Sequence, residues 1–376
     1  MMTQLTVEDV WPLSPLQEGL LFHAVYDQDA PRDVYVGQRI LNLDGVLRPE
    51  VLEASWQALL DRHASLRAAF RSRAAGDTVQ VIAKGMRIPW THADLSELSD
   101  EEAEAEAKRL TAIDARRFDL GMPPLLRVLL LRIGPGHHRM VVTVHHILMD
   151  GWSLPILFHE LWAVYGNGGD PSVLPKVPQY RDYLEWLARW DKDAAREAWR
   201  AMLAGTEEPT LVGPDDRGGP PVMLQHVIDQ VGDELADRLR EVARAAGVTL
   251  NRVFQVAWAL LVGKLSGRLD VVFGATVSGR PAEVPQADRM VGLFINTVPV
   301  RVPLDAAVPF REAMAPLQDQ QATLLDHQQL SLPEIQRAGG PGATFDTLMV
   351  FQNYPRGPQV ARDAGAATPG REAEAP

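Results

Sequence analysis

Apolar and polar positions along this chain switch repeatedly between the 3.6-residue period of helices and the two-residue alternation of strands. Leu16, Leu20, Leu21 and Val25 recur at helical spacing and predict a helix over 15–26. Val34, Val36, Ile40, Leu41 and Leu43 predict a strand over 34–43. A second helix is predicted over 49–62: Pro49 sits in its first turn, where a missing N–H costs nothing, and Val51, Leu52, Trp56, Leu59 and Leu60 share one side. Short strands are predicted at 66–71 and 78–82. Ser99 with Glu102 three residues on forms a capping box that opens a charged helix running to 113.

The strongest strand pair is predicted at 126–133 and 139–146, joined by Gly134-Pro135-Gly136. In the second of these, Met140, Val142, Val144 and His146 face one way, and Val141, Thr143 and His145 the other. Both faces are largely apolar, so the strand is expected to be central and covered on both sides. The two adjacent histidines then point to opposite faces, and only one of them serves a given site.

A helix over 154–165 follows, and then a Gly/Pro-rich run from Gly166 to Pro178, which marks the expected lobe boundary. Beyond it the pattern predicts one long helix over 180–203, a strand over 223–231, helices over 233–246 and 250–265, and a strand over 270–277. A Pro/Gly-rich loop over 278–292, a strand near 296–302, helices near 310–326 and 332–338 and a last strand over 345–352 complete it. The domains expected are residues 1–170, residues 178–355 and a disordered tail over 356–376, which is rich in Ala, Gly, Pro and charge without an apolar period.

Composition narrows the function classes. With 46% hydrophobic and 23% charged residues, the 376-residue chain has the make-up of a globular protein with a real core. A net charge of -12 argues against a broad nucleic-acid footprint. The absence of cysteine excludes disulfides, a thiolate nucleophile and Cys-based metal sites. No secretory signal and no apolar stretch of spanning length is visible, which leads us to expect a cytoplasmic protein without membrane contact.

Candidate chemistry centres on His145-His146-Ile147-Leu148-Met149-Asp150-Gly151. A strand end fixes an imidazole, and a turn at Gly151 lets backbone approach a substrate closely. A neutral imidazole near pH 7 accepts a proton from a nucleophile. Each histidine, taken alone, reads equally well as a packed core residue. A metal pair is disfavoured, because the two rings face apart and no third ligand lies at the needed spacing.

The segment does not stand alone. His145 to Ser153 matches the HHxxxDG signature of the condensation domains of non-ribosomal peptide synthetases. Ser14-Pro15-Leu16-Gln17-Glu18-Gly19-Leu20-Leu21-Phe22-His23 resembles that family's opening motif, and Arg62-His63-Ala64-Ser65-Leu66-Arg67-Ala68-Ala69-Phe70 its second. Tyr180-Arg181-Asp182-Tyr183, Ser278-Gly279-Arg280-Pro281 and Val291-Gly292-Leu293-Phe294-Ile295-Asn296-Thr297 resemble later elements, and His327 to Pro333 is a looser match to a sixth. Their order holds from about residue 10 to Pro355.

The resemblance implies an α/β fold of α+β two-layer sandwich type, with two chloramphenicol-acetyltransferase-like lobes in a V shape about a tunnel. It implies His146 as catalytic base and the Gly151 N–H as oxyanion donor. His145 becomes a packing residue and Asp150 a structural partner of an arginine, with Arg280, Arg62 and Arg67 as candidates. Trp152, Ser153 and Asn296 become tunnel-lining candidates, while Tyr180, Asp182 and Tyr183 anchor the helix after the linker. The expected partners are donor and acceptor carrier domains and an adenylation domain, with substrates on phosphopantetheine arms and neither metal nor intrinsic cofactor. Ester-forming or tailoring acyl transfer, and a non-catalytic carrier-docking remnant, remain as alternatives. Family members continue past the position of Tyr354-Pro355, so the second lobe is expected to be incomplete and the chain less stable than a longer relative.

Overall fold

The computed structural model describes residues 6–26, 33–73, 76–213, 225, 227–305, 307–352, 368–369 and 373–374. The chain divides into two compact units. The first comprises Met1–Arg189, Arg280–Phe294 and Tyr354–Pro376, and the second Trp190–Gly279 and Ile295–Asn353. The break falls after residue 189 and not in the Gly/Pro-rich run at 166–178. The helix that follows that run buries Tyr180, Tyr183, Leu184 and Leu187 in the first unit. Arg280–Phe294 also belongs to the first unit, although it lies far along the chain.

In the first unit the order is β1 (Val7–Trp11), α1 (Pro15–Tyr26), β2 (Val36–Asp44), α2 (Pro49–Arg62), β3 (Ala68–Ser72) and β4 (Thr78–Ala83). Then come β5 (Trp90–Asp94), α3 (Asp100–Asp114), β6 (Leu126–Gly134), β7 (His137–His145), α4 (Ser153–Gly166) and α5 (Tyr180–Arg189). The main sheet runs β2-β7-β6-β5; β7 is antiparallel to both neighbours, and β5 is parallel to β6. A smaller sheet runs β1-β4-β3. The expected alternation of β7 decides the packing of the main sheet. Val141 joins Leu129, Leu131, Ala103 and Ala107 in a core under α3. Met140, on the opposite face, receives the indole N–H of Trp56 from α2 at 3.4 Å, and Trp56 meets Phe158 of α4 edge-on. Each large apolar side chain buried this way contributes about 1.5–3 kcal/mol, so a central strand apolar on both faces is strongly held.

Local signals formed as expected where they were self-sufficient. Ser99 and Glu102 make the capping box of α3. Pro49 opens α2, which buries Leu52, Trp56, Leu59 and Leu60. Two strands went unpredicted: β1, and β5, whose only described strand neighbour is β6. Edge strands face water on more sides and carry a weaker alternation. Described parts of the tail, Thr368–Pro369 and Ala373–Glu374, pair antiparallel with β2. The rest of the expected disordered tail lies outside the described residues.

The second unit contains α6 (Lys192–Leu203), α7 (Asp233–Ala245), α8 (Leu250–Ser266), β8 (Asp270–Val277), β9 (Asn296–Pro303), α9 (Phe310–Thr323), α10 (Leu332–Gly339) and β10 (Leu348–Met349). Its sheet runs β10-β8-β9. Val271, Phe273 and Ala275 of β8 pack with Val253, Val256 and Val262 of α8, whereas Val272 packs with Trp199 of α6 and Ile335 of α10. The single helix predicted over 180–203 is two helices, because the Asp191 side chain accepts from the N–H groups of Asp193 and Ala194 and starts α6 afresh. The strand predicted over 223–231 is absent from its described part. Val227 and Ile228 are 96% and 88% exposed, and alternation without a neighbour to pair with forms no strand. The predicted last strand shrinks to Leu348–Met349, parallel to β8. Among the described residues no single helix is long and apolar enough to cross a membrane.

Candidate active site

β7 ends at His145, and the next residue leaves the sheet after one more backbone bond, from His146 N–H to Tyr35 O at 2.8 Å. Ile147, Leu148 and Met149 then plunge into the core, each almost fully buried. The segment is therefore nailed down on both sides of an exposed His146.

The two histidines part company as alternation requires. His145 is fully buried on the α3 side, edge-on to Phe118. Its Nδ1 accepts the Ile147 N–H at 3.1 Å, which leaves the proton on Nε2 to face Asp33 Oδ2 at 3.3 Å. Burial pushes the His145 imidazole down to about 4, and the nearby Asp33 carboxylate opposes this without reversing it. His145 is thus a neutral bracket holding the first peptide of the loop. A histidine that ionises near 6.5 when unfolded and near 4 when folded makes the unfolded chain the better proton binder between those values. Stability should therefore fall as pH drops from about 6.5 to about 4, by up to ~3 kcal/mol from this group. Denaturant melts at pH 7.5 and 4.5 should show the slope, and His145→Asn should remove much of it.

His146 has protein packed about much of its ring even though its surface is accessible. Burial lowers its pKa, Arg39 on β2 lowers it further, and Asp33 partly opposes them. The ring is therefore neutral at pH 7. Gly37, which is paired with Val144 across β2 and β7, lies beside the ring.

Asp150 does not reach toward His146; it is consumed by structure. Its fully buried carboxylate takes the Arg280 guanidinium on Oδ1 at 2.9 Å, the Ser153 N–H on the same oxygen at 3.0 Å, and the Phe294 N–H on Oδ2 at 3.1 Å. Arg280 is also bound to the carbonyls of Ala287 and Met290 and lies over the Phe294 ring, 4.1 Å from its centroid. Of the three arginines considered, Arg280 is the one at Asp150. Arg62 pairs with Glu160 at 3.0 Å beside His63, which lies 2.7 Å from the same oxygen. Burial pushes the Glu160 carboxyl up, but His63 and Arg62 outweigh it and hold it below its usual range. Arg67 is buried and bound to Glu8 and to the carbonyls of Leu60 and Ala83. Neither Arg62 nor Arg67 therefore belongs to the site.

Two expected lining residues also move. Ser153 is fully buried, its Oγ 2.9 Å from Asp150 Oδ1 and 3.0 Å from Gly292 O while accepting the Gly292 N–H at 3.1 Å. Asn296 is buried in the second unit, with its amide donating to the carbonyls of Gln328 and Leu330. Both are spent on holding backbone, because a buried amide or hydroxyl must find partners. Trp152 is half-buried at the start of α4. Among the described residues the Gly151 N–H has no protein acceptor.

Sequence reasoning missed several residues that fix this loop. Gln17 of α1 donates to Ile147 O at 3.0 Å and exchanges amide bonds with Gln80. Ser14 and Tyr180 both donate to Leu293 O, Tyr180 at 2.6 Å, and Ser65 donates to Val291 O at 2.8 Å. Tyr180 and Tyr183 are buried against Phe294, and Asp182 is exposed. The motif membership of these residues was the only available signal; their targets are carbonyls, which no side-chain pattern encodes. Gly292 has no room for a side chain, since a Cβ there would lie 2.2 Å from the Tyr180 ring. Gly292→Ala is expected to cost about 1–3 kcal/mol by overpacking. A drop in the denaturation midpoint at constant slope is the check.

Among the described residues no cluster of three or more His, Asp or Glu side chains is arranged to hold a metal. The first unit's central strand leads into an accessible histidine, and the fold as a whole is a mixed α/β fold of the chloramphenicol-acetyltransferase-like kind seen in condensation domains. The family model described as Condensation domain matches residues 7–369, and this chain belongs to the condensation-domain family, whose general reaction is peptide-bond formation. A linear gramicidin synthase protein of Brevibacillus parabrevis is 37% identical over 365 residues, covering 94% of this chain and 5% of that protein. Bacitracin synthase 3 of Bacillus licheniformis is 33% identical over 356 residues, covering 93% and 6%. The chain thus spans only a small fraction of the length of these relatives. Among solved structures, the first condensation domain of the calcium-dependent antibiotic synthetase in complex with a substrate analogue superposes with a TM-score of 0.75. It is 22% identical, and the match covers 97% of this chain and 86% of that one. That likeness carries the fold.

Proposed function

We propose that this chain joins a donor acyl or peptidyl thioester to the amine of an acceptor aminoacyl thioester, each borne on the phosphopantetheine arm of a carrier domain. The acceptor nitrogen attacks the donor carbonyl carbon, a C–N bond forms and the C–S bond breaks. The proton lost by the amine ends on the departing thiolate. His146 takes that proton in transit. The observation that carries the proposal is a neutral, accessible imidazole at the end of a rigid central strand, on a loop clamped by Asp150 and Arg280.

An amine with a pKa near ~8 is largely protonated at pH 7, so a neutral imidazole nearby is useful as acceptor. The greater part of the acceleration comes from holding two tethered reactants together. The unpartnered Gly151 N–H would receive the negative charge that develops on the carbonyl oxygen. The chain works in the cytoplasm beside carrier domains and an adenylation domain of one assembly line, and brings no cofactor of its own.

The test is a single-turnover assay with two carrier proteins, one loaded with an acyl group and one with an amino acid, read by product mass. An amide supports the proposal. An ester formed only with an alcohol acceptor, or carrier binding without any product, overturns it.

A further inference from the structure

We propose that Gly37 is a positioning residue: by lacking a side chain it leaves the space at His146 Nε2 open and lets the imidazole lie against β2. This rests on the reading of His146 as the proton acceptor.

Gly37 is directly opposite Val144, and directly opposed residues project from the same face of a sheet. Gln38, one residue on, projects from the other face, where its amide donates to Thr143 Oγ1 at 3.0 Å. Gly37 therefore shares the face that alternation assigns to His146. A Cβ at Gly37 would sit 2.9 Å from His146 Nε2 and 3.2 Å from its Cε1. Carbon contacts of that length do not persist, so a side chain at 37 would force the ring to swing away. The swing is open to it, because the atoms in conflict are the free end of a side chain and not backbone.

The same 2.9 Å is a hydrogen-bond separation, so the volume a methyl would occupy is where a donor N–H to Nε2 would sit. Glycine inside a strand is otherwise a weakness, with extra unfolded-state freedom and nothing to pack. No left-handed backbone accounts for it, since Gly37 is not among the positive-φ glycines of the chain. What the strand gives up in stability, the site gains as room beside the ring.

The experiment compares wild type, Gly37→Ala, His146→Ala and the double variant in the two-carrier single-turnover assay. Alongside, the His146 Cε1–H resonance, assigned by its loss in His146→Ala, is titrated in wild type and Gly37→Ala. A ring displaced by about 1 Å loses on the order of 100-fold in rate. We expect Gly37→Ala to lose that much at saturating carriers, with a moved His146 resonance and unchanged or raised thermal stability. We expect no further loss when Gly37→Ala is added to His146→Ala, because a residue acting through the ring has nothing left to act on. An unmoved resonance, or a full additional loss in the double variant, overturns the proposal. If wild type itself makes no amide, the reading of the reaction fails, and the resonance still decides the role of Gly37.

Discussion

His146→Ala should lower the single-turnover rate of amide formation by roughly 10²–10⁴ and leave thermal unfolding almost unchanged. The separation of the two readouts follows from where the ring sits. His146 is exposed, while the residues that hold the loop, Ile147, Leu148, Met149 and Asp150, are buried. Removing the ring empties no core cavity. His146→Gln, which keeps much of the volume but cannot take a proton at neutral pH, should lose nearly as much. The pH profile makes the assignment sharper. Burial and Arg39 lower the His146 pKa, so the neutral form persists to a pH below the ordinary histidine value of about 6.5. The acid limb of the wild-type profile that belongs to this group should lie there and should vanish in both variants. A variant within tenfold of wild type would mean that orientation alone supplies the rate and that His146 is not the proton acceptor.

The second large effect is on folding. Asp150→Ala should destabilise the protein by about 3–5 kcal/mol, because it strands a buried guanidinium. Arg280 has 9% side-chain exposure, and Asp150 none. Water cannot readily replace the lost carboxylate, and the Phe294 N–H loses its acceptor as well. Arg280→Met should cost a similar amount by leaving the carboxylate unpaired. The double variant Asp150→Ala with Arg280→Met should recover part of the loss, since replacing both members removes the uncompensated charge. Denaturant melts of the four proteins form a double-mutant cycle, and a coupling energy near zero would refute the clamp. Activity should follow stability: Asp150 Oδ1 holds the Ser153 N–H and hydroxyl and Oδ2 holds the Phe294 N–H, so losing the carboxylate loosens the loop that carries His146. Asp150→Ala should therefore slow turnover through the loop alone, since the carboxylate is held by Arg280, Ser153 and Phe294.

Legibility in the sequence followed the range of the interaction. The partner of Asp150 stands 130 residues away, and three arginines were equally eligible on paper. Ser153 and Asn296 belong to recognisable motifs, but motif membership does not say whether a polar side chain faces substrate or satisfies buried backbone. The structure gives both of them the second role. Gly37 carried no signal at all, because the role proposed for it is the absence of atoms beside a ring that comes from another segment.

What the sequence determined by itself is what covalent geometry and local hydrogen bonding fix. The two-residue period of β7 separates His145 from His146 in any fold that makes this strand, the Ser99–Glu102 box starts α3, and the ordered motifs establish the family. Only the tertiary structure decided that Arg280 and not Arg62 or Arg67 neutralises Asp150, that the stretch over 180–203 breaks at Asp191, and that Gly37 lies against His146. A buried charge is stable only beside its partner, and which partner arrives is a property of packing between segments far apart in the chain.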